Sequence, residues 1–227
     1  MSPAESRADR AERILDAAAD LLTRVGYRRT TVEDVADHAD VGKGTLYLHW
    51  KTREALFLAV LRREGARTME DLVHALEADP QVALLPRLTE VQFTNVVNRP
   101  LLYAGYAADA DLLGKLLPKL HGDLNPRHDE LFEDYLRLLA GHRLLRTDRP
   151  VGEIAVAYRA MMHGFLLSPR TGDPAAAAAL LADTVAHAFT PPGRPPAAKV
   201  RAIAPRAVAI FTEAAELDRA HLRRAYS

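Results

Sequence analysis

The sequence predicts an all-α protein, and three observations carry that expectation. Strong helix formers dominate: Ala, Leu and Arg are plentiful, whereas Ile is sparse and aromatic residues make up only 6% of the 227 residues. Such a composition favours helices over strands. Apolar residues recur at helical spacing in one stretch after another. Prolines at 80, 86, 100, 118, 126, 150, 169 and 174 punctuate the chain, and the segments between them read as helices.

The first helix is expected over about 10–25, where Ile14, Leu15, Ala18, Leu21, Leu22 and Val25 share one face and Gly26 follows as a stop. A second, at about 31–39, carries Val32, Val35, Ala36 and Ala39 on its inner face. Thr30 or Thr31 can cap it, and Glu33 or Asp34 suits its first turn. The turn Asp40-Val41-Gly42 leads to a short third helix at about 43–49. Thr52 can cap a long fourth helix at about 52–78. Further segments are read at about 84–98, 101–108, 110–120 and 127–146, then at 151–167 and 174–189. Pro191 to Pro196 (PPGRPP) reads as a stiff linker before a last helix at about 206–225.

Composition removes several function classes. With no cysteine there is no disulfide framework, thiolate zinc site or Cys nucleophile. No run of about 18 apolar residues marks a membrane span. The charged start, MSPAESRADRAERILDAA, has no apolar core of a signal peptide, so the expected location is the cytoplasm. Formal net charge is zero, and residues 1–55 hold nine Lys/Arg against ten Asp/Glu, a net of −1. A nucleic-acid partner therefore requires basic groups gathered on one face. Residues 191–227 hold seven basic and three acidic side chains, a net of +4.

The stretch Thr30 to Leu56, TTVEDVADHADVGKGTLYLHWKTREAL, reads as two short helices joined by a tight turn. In the second of them Leu46 and Trp50 can anchor to a core. Lys43, Gly44, Thr45, Tyr47 and His49 are polar, small or amphipathic, and a helix with one packed edge and one bonding edge suits a major groove; Leu48 is counted with them as a candidate DNA contact. Gly44 and Thr45 let the backbone come close to DNA. Lys43 can reach a guanine edge or a phosphate, and Tyr47 and His49 can donate to phosphates or touch a thymine methyl. Lys51 and Arg53 can clamp the DNA backbone, and Thr31 with the N–H groups beside it can hold another phosphate. The plainer alternative for these residues is a solvated helix face.

This segment resembles the TetR family of bacterial transcription regulators. The resemblance rests on Arg13 to Ala18, Leu21-Leu22, Gly26-Tyr27, Thr30-Thr31-Val32, Val35-Ala36, Ala39, Val41 to Tyr47, His49-Trp50-Lys51 and Arg53 to Leu56. It implies an all-α homodimer whose N-terminal three-helix unit binds double-stranded operator DNA. It also implies a fourth helix leading to a ligand-binding domain, with a small-molecule effector that releases DNA. Two late helices, here 151–167 and 174–189, are implied to form the dimer bundle. The basic segment after Pro191 goes beyond the usual family length.

The expected organisation is thus a helix-turn-helix DNA-binding domain at 1–51, a helical ligand-binding and dimerisation domain at 52–190, and a Pro-rich linker with a basic helical extension at 191–227. Phe93, Tyr103, Tyr106, Phe132, Tyr135, Met161, Met162 and Phe165 are candidate ligand contacts, each also readable as plain core, and they point to an apolar or aromatic effector. Arg7, Arg10 and Arg13 read either as a minor-groove arm or as a frayed terminus. His121, Asp123, His128 and Asp129 are metal-capable but match no zinc or iron spacing, so no metal and no cofactor is expected. No nucleophile–base pair or Gly-rich phosphate loop suggests an enzyme. The expected function is a ligand-released repressor. Its alternatives are an activator or corepressor-dependent regulator of the same fold, or a small-molecule binder or enzyme with a vestigial head.

Overall fold

The computed structural model describes residues 6–118, 126–168 and 173–224. Among them there are α-helices and short 3-10 turns and no strand, as the composition predicted. The helices are α1 (Arg7–Arg29), α2 (Val32–His38), α3 (Lys43–His49), α4 (Arg53–Ala78), α5 (Leu85–Val97), α6 (Pro100–Tyr106), α7 (Ala110–Leu113), α8 (Pro126–Gly141), α9 (Val151–Leu167), α10 (Pro174–Phe189) and α11 (Ala197–Arg224). The described residues fall into two compact units. One is drawn from Met1–Ala66, Pro100–Asp123 and Asp218–Ser227, the other from Arg67–Arg99 and Leu124–Leu217. These bounds differ from the sequence division at 51 and 190, because α6 and α7 pack on α1.

In the first unit Ile14, Leu15, Ala18 and Leu22 of α1 meet Val35 of α2, Leu46 of α3 and Phe57 and Val60 of α4 in one buried cluster. Each of the Val, Leu, Ile and Phe side chains among them stabilises the fold by about 1.5–3 kcal/mol relative to exposure. Ser6 and Asp9 form a reciprocal cap at the start of α1. The expected stop at Gly26 is a break inside the helix: Gly26 leaves helical geometry at φ 78°, ψ 166°, and Tyr27 to Arg29 resume it. That region of backbone space is essentially reserved for glycine. A side chain there would also stand 3.2 Å from the Asp111 carbonyl oxygen of α7. The Arg63 guanidinium of α4 lies within 3.2 Å of Glu12 and 2.9 Å of Asp16 on α1, which ties the two helices together.

In the second unit α5 packs along α10, and α9 packs on α5, α8 and α10. Tyr135 is fully buried, donates its hydroxyl to the Ala83 carbonyl at 3.0 Å and meets Phe211 with ring centroids 5.2 Å apart. Two helices end earlier than the spacing suggested. α6 stops at Tyr106 and α8 at Gly141, and each is closed by a residue of positive φ, Ala108 at 51° and Arg143 at 56°. Asp109 and Leu144 then donate back to the carbonyls of Ala104 and Leu139, both at 2.9 Å. The last helix begins at Ala197, well before residue 206. It runs through Pro205, which lacks an N–H, because Val200, Ile203, Ala204 and Ala207 bury their side chains on both sides of it.

Candidate DNA-reading surface

The head is set by local bonds before it is set by packing. At the start of α2, Thr31 Oγ1 accepts from the Asp34 N–H at 3.1 Å, while Asp34 Oδ2 accepts from the Thr31 N–H at 2.8 Å and from its hydroxyl at 2.7 Å. These bonds hold the Asp34 carboxyl below its ordinary pKa. The end of α2 is closed by Asp40 at φ 49°, with Val41 donating to Ala36 at 3.0 Å and Asp40 to Asp37 at 3.2 Å. Arg13 of α1 donates to the Ala39 carbonyl and fixes this turn from outside. Gly42 then starts α3, accepting from Thr45 N at 2.8 Å.

α3 divides cleanly by face. Leu46 and Trp50 are buried in the head's core, as expected. At 100° per residue, Lys43, Tyr47, Gly44 and Leu48 fall within an arc of about 140°, and all four are exposed. Leu48 is 69% exposed and Tyr47 39%. Thr45 stands half-buried at the edge of this face, and Lys51 is exposed just beyond the helix. Lys43 Nζ is ion-paired with Glu33 Oε1 of α2 and lies 6.0 Å from the centre of the Tyr47 ring. The bond from Lys43 holds the Glu33 carboxyl below its ordinary pKa and raises that of the lysine.

Three residues expected to meet DNA are engaged elsewhere. His49 is only 5% exposed, with its ring 5.3 Å from that of Trp50 and its Nδ1 buried without a hydrogen-bond partner. Burial, then the charges of Arg7 and Arg10, push its pKa down. Arg53 donates Nε to the Thr30 carbonyl at 2.8 Å and an Nη to the Tyr27 carbonyl, and its guanidinium lies 4.0 Å from the centre of the Tyr27 ring. It locks the α1–α2 connection to the start of α4. The Thr31 hydroxyl is occupied by its cap. The sequence places Glu33 in the first turn of α2 and Arg13 in an arm or frayed terminus; their contacts with Lys43 and the Ala39 carbonyl are not legible there, because the sequence gives no periodic link across the turn. Arg7 is not a loose arm: it donates to the Leu48 carbonyl at 3.4 Å.

A family model, described as bacterial regulatory proteins of the tetR family, matches residues 14–60. Over these residues the chain is similar to the TetR family. Among curated relatives, the HTH-type transcriptional repressor KstR of Rhodococcus jostii is 27% identical over 148 residues, which cover 54% of this chain and 65% of the relative. The chain therefore spans less than two thirds of that relative's own length. Among solved structures, a transcriptional regulator from Saccharomonospora viridis in complex with choline aligns with a TM-score of 0.62 at 21% identity, covering 82% of this chain and all of that one. The regulator FadR from Bacillus subtilis in complex with stearoyl-CoA aligns with a TM-score of 0.58 at 14% identity, covering 77% and 96%. The likeness to both structures is one of fold.

The candidate ligand contacts divide between the two units. Tyr103 and Tyr106 lie on α6 in the first. Phe93, Phe132, Tyr135, Met161, Met162 and Phe165 belong to the second. There Phe93, Tyr135 and Met162 are buried, while Phe132, Met161 and Phe165 are half-buried. The Phe132 ring lies 4.8 Å from that of Tyr158, whose hydroxyl donates to Gln92 at 3.2 Å and sits 3.3 Å from the buried Thr89 hydroxyl. Of these polar partners the sequence singles out Tyr158 only as part of an apolar helix face, and Thr89 and Gln92 not at all. A cavity of about 340 Å³ in the second unit is lined by Arg146, Arg149, Glu153, Ile154, Ala188 and Phe189 among others, and by none of the ligand candidates. His121 and Asp123 lie outside the described residues, and Asp129 pairs with Arg159 at 2.9 Å. Among the described residues no group of metal-capable side chains forms, and no helix is long and apolar enough to cross a membrane.

Proposed function

We propose that this chain is a sequence-specific DNA-binding transcription regulator, a repressor that a small-molecule effector releases from its operator. The outward face of α3 carries the reading: Lys43, Gly44, Tyr47 and Leu48 stand exposed on a short helix whose other side is anchored by Leu46 and Trp50. A helix so mounted enters a major groove. Residues 1–51 then read DNA with Thr45 and Lys51 flanking the groove, residues 52–190 hold effector and dimer interface, and 191–227 form the extension. Selection of bound fragments from the host genome at near-physiological salt tests this. One partly palindromic site is expected, and Tyr47→Ala and Lys43→Ala each weaken it about tenfold with dimer and effector affinity unchanged. Unchanged operator affinity in both variants overturns the assignment of α3.

The homodimer is proposed to form through α9 and α10. Val156, Ala160, His163, Gly164 and Leu167 of α9 and Ala176, Leu180 and His187 of α10 are exposed at helical spacing. Two such faces suit an isologous contact. The effector is proposed to be apolar or aromatic, held in the second unit beside Phe132 and Tyr158. That two neighbours of the same fold hold choline and stearoyl-CoA supports a small-molecule effector. Coupling is then a population shift between dimer states, one preferred by DNA and the other by effector.

A further inference from the structure

We propose that Leu48 reads thymine, through apolar contact with its 5-methyl group, and is thereby a determinant of operator sequence; this rests on the DNA-binding reading above. The exposed face of α3 holds Lys43, Gly44, Tyr47 and Leu48. It contains no Arg, Asn or Gln, the side chains that form paired hydrogen bonds to guanine or adenine edges in the major groove. Lys43 supplies the one charged donor on the face and is already ion-paired with Glu33, while the Tyr47 ring has that ammonium 6.0 Å from its centre. Leu48 is left as the apolar group of greatest reach. Among the described residues it has the highest exposure of the large hydrophobic side chains, at 69%.

Its outward position is built into the helix. Leu46 and His49 take the inward positions on either side of it. The Leu48 carbonyl accepts from Arg7 at 3.4 Å, which joins the end of α3 to the start of α1. The side chain is thus presented from a held backbone. The apolar feature that a base pair offers in the major groove is the thymine methyl, and it distinguishes A·T from T·A as well as from G·C.

The test uses the full chain and a duplex selected from a random library. Each thymidine of that duplex is replaced in turn by deoxyuridine, which removes the methyl group and keeps the pairing. For the unaltered protein at least one position in each half-site is expected to lose about fourfold in affinity, the effect of withdrawing one buried methyl group. Leu48→Ala is expected to bind both duplexes equally at that position, with an unchanged melting temperature because the side chain is exposed. Leu48→Met, which keeps an apolar reach, retains the discrimination. Discrimination that survives in Leu48→Ala overturns the proposal, and so does its absence at every thymidine in the unaltered protein. If no duplex is enriched at all, the DNA-binding reading itself fails, which is a distinct result.

Discussion

Lys43 enters its ion pair with Glu33 from the opposite side of a tight turn, and both groups are exposed. An exposed pair of this kind adds little to stability. Its effect falls on binding, since a phosphate that takes up Lys43 must displace Glu33 and approach a carboxylate. Glu33→Gln is therefore expected to raise operator affinity by about threefold to tenfold at low salt, with the gain shrinking as salt rises. Fluorescence anisotropy over a salt series checks it, and equal affinities throughout would sink it. His49 and Arg53 show the converse case. Both side chains have the chemistry to bind phosphate, but burial removes one and backbone carbonyls occupy the other.

At the scale of elements, helix ends decide the geometry. α2, α6 and α8 each close on a residue of positive φ that is not glycine: Asp40, Ala108 and Arg143. Gly105 and Gly141 lie before the closing positions and not at them, so no glycine marks the positive-φ residue itself, which is why α6 and α8 were read too long. Gly26 does carry such a signal, and it marks a kink against α7 rather than an end. Two substitutions of opposite sign follow. Gly26→Ala is expected to destabilise the chain by about 1–3 kcal/mol, because it forces a side chain into a backbone region of glycine alone. Ala108→Gly is expected to stabilise it by up to about 1 kcal/mol through relief of a left-handed alanine. Denaturant melts of both variants compare them, and a neutral Gly26→Ala would contradict the kink.

For the molecule as a whole, a formal net charge of zero removes bulk attraction to nucleic acid. Under the proposed function, recognition then depends on the few side chains that the head places on α3, and on a dimer that presents two heads together. The outward faces of α9 and α10 bear on the second requirement. Val156→Glu and Leu180→Glu, both at exposed positions, are expected to convert a dimer to monomers and to weaken operator binding at least tenfold, with helix content unchanged. Sedimentation velocity reads the first effect and circular dichroism the last. A dimer that persists in both variants would move the interface elsewhere.

The all-α class, the three helices of the head and the limits of α9 and α10 were determined by the sequence itself. They rest on short-range rules: helical spacing of Ile14, Leu15, Ala18 and Leu22, a cap at Thr31 three residues before Asp34, and breaking prolines at 150 and 174. Such signals act within a few residues and are visible in one dimension. Tertiary structure alone decided which side chains of α3 face outward. His49 and Leu48 are neighbours on one short helix, and only the core against which α3 packs turns the histidine in and the leucine out. It also decided that α11 runs through Pro205 and that α6 and α7 join the unit of α1. In each case long-range burial outweighs the local preference, and a helix period carries no record of the partner it will meet.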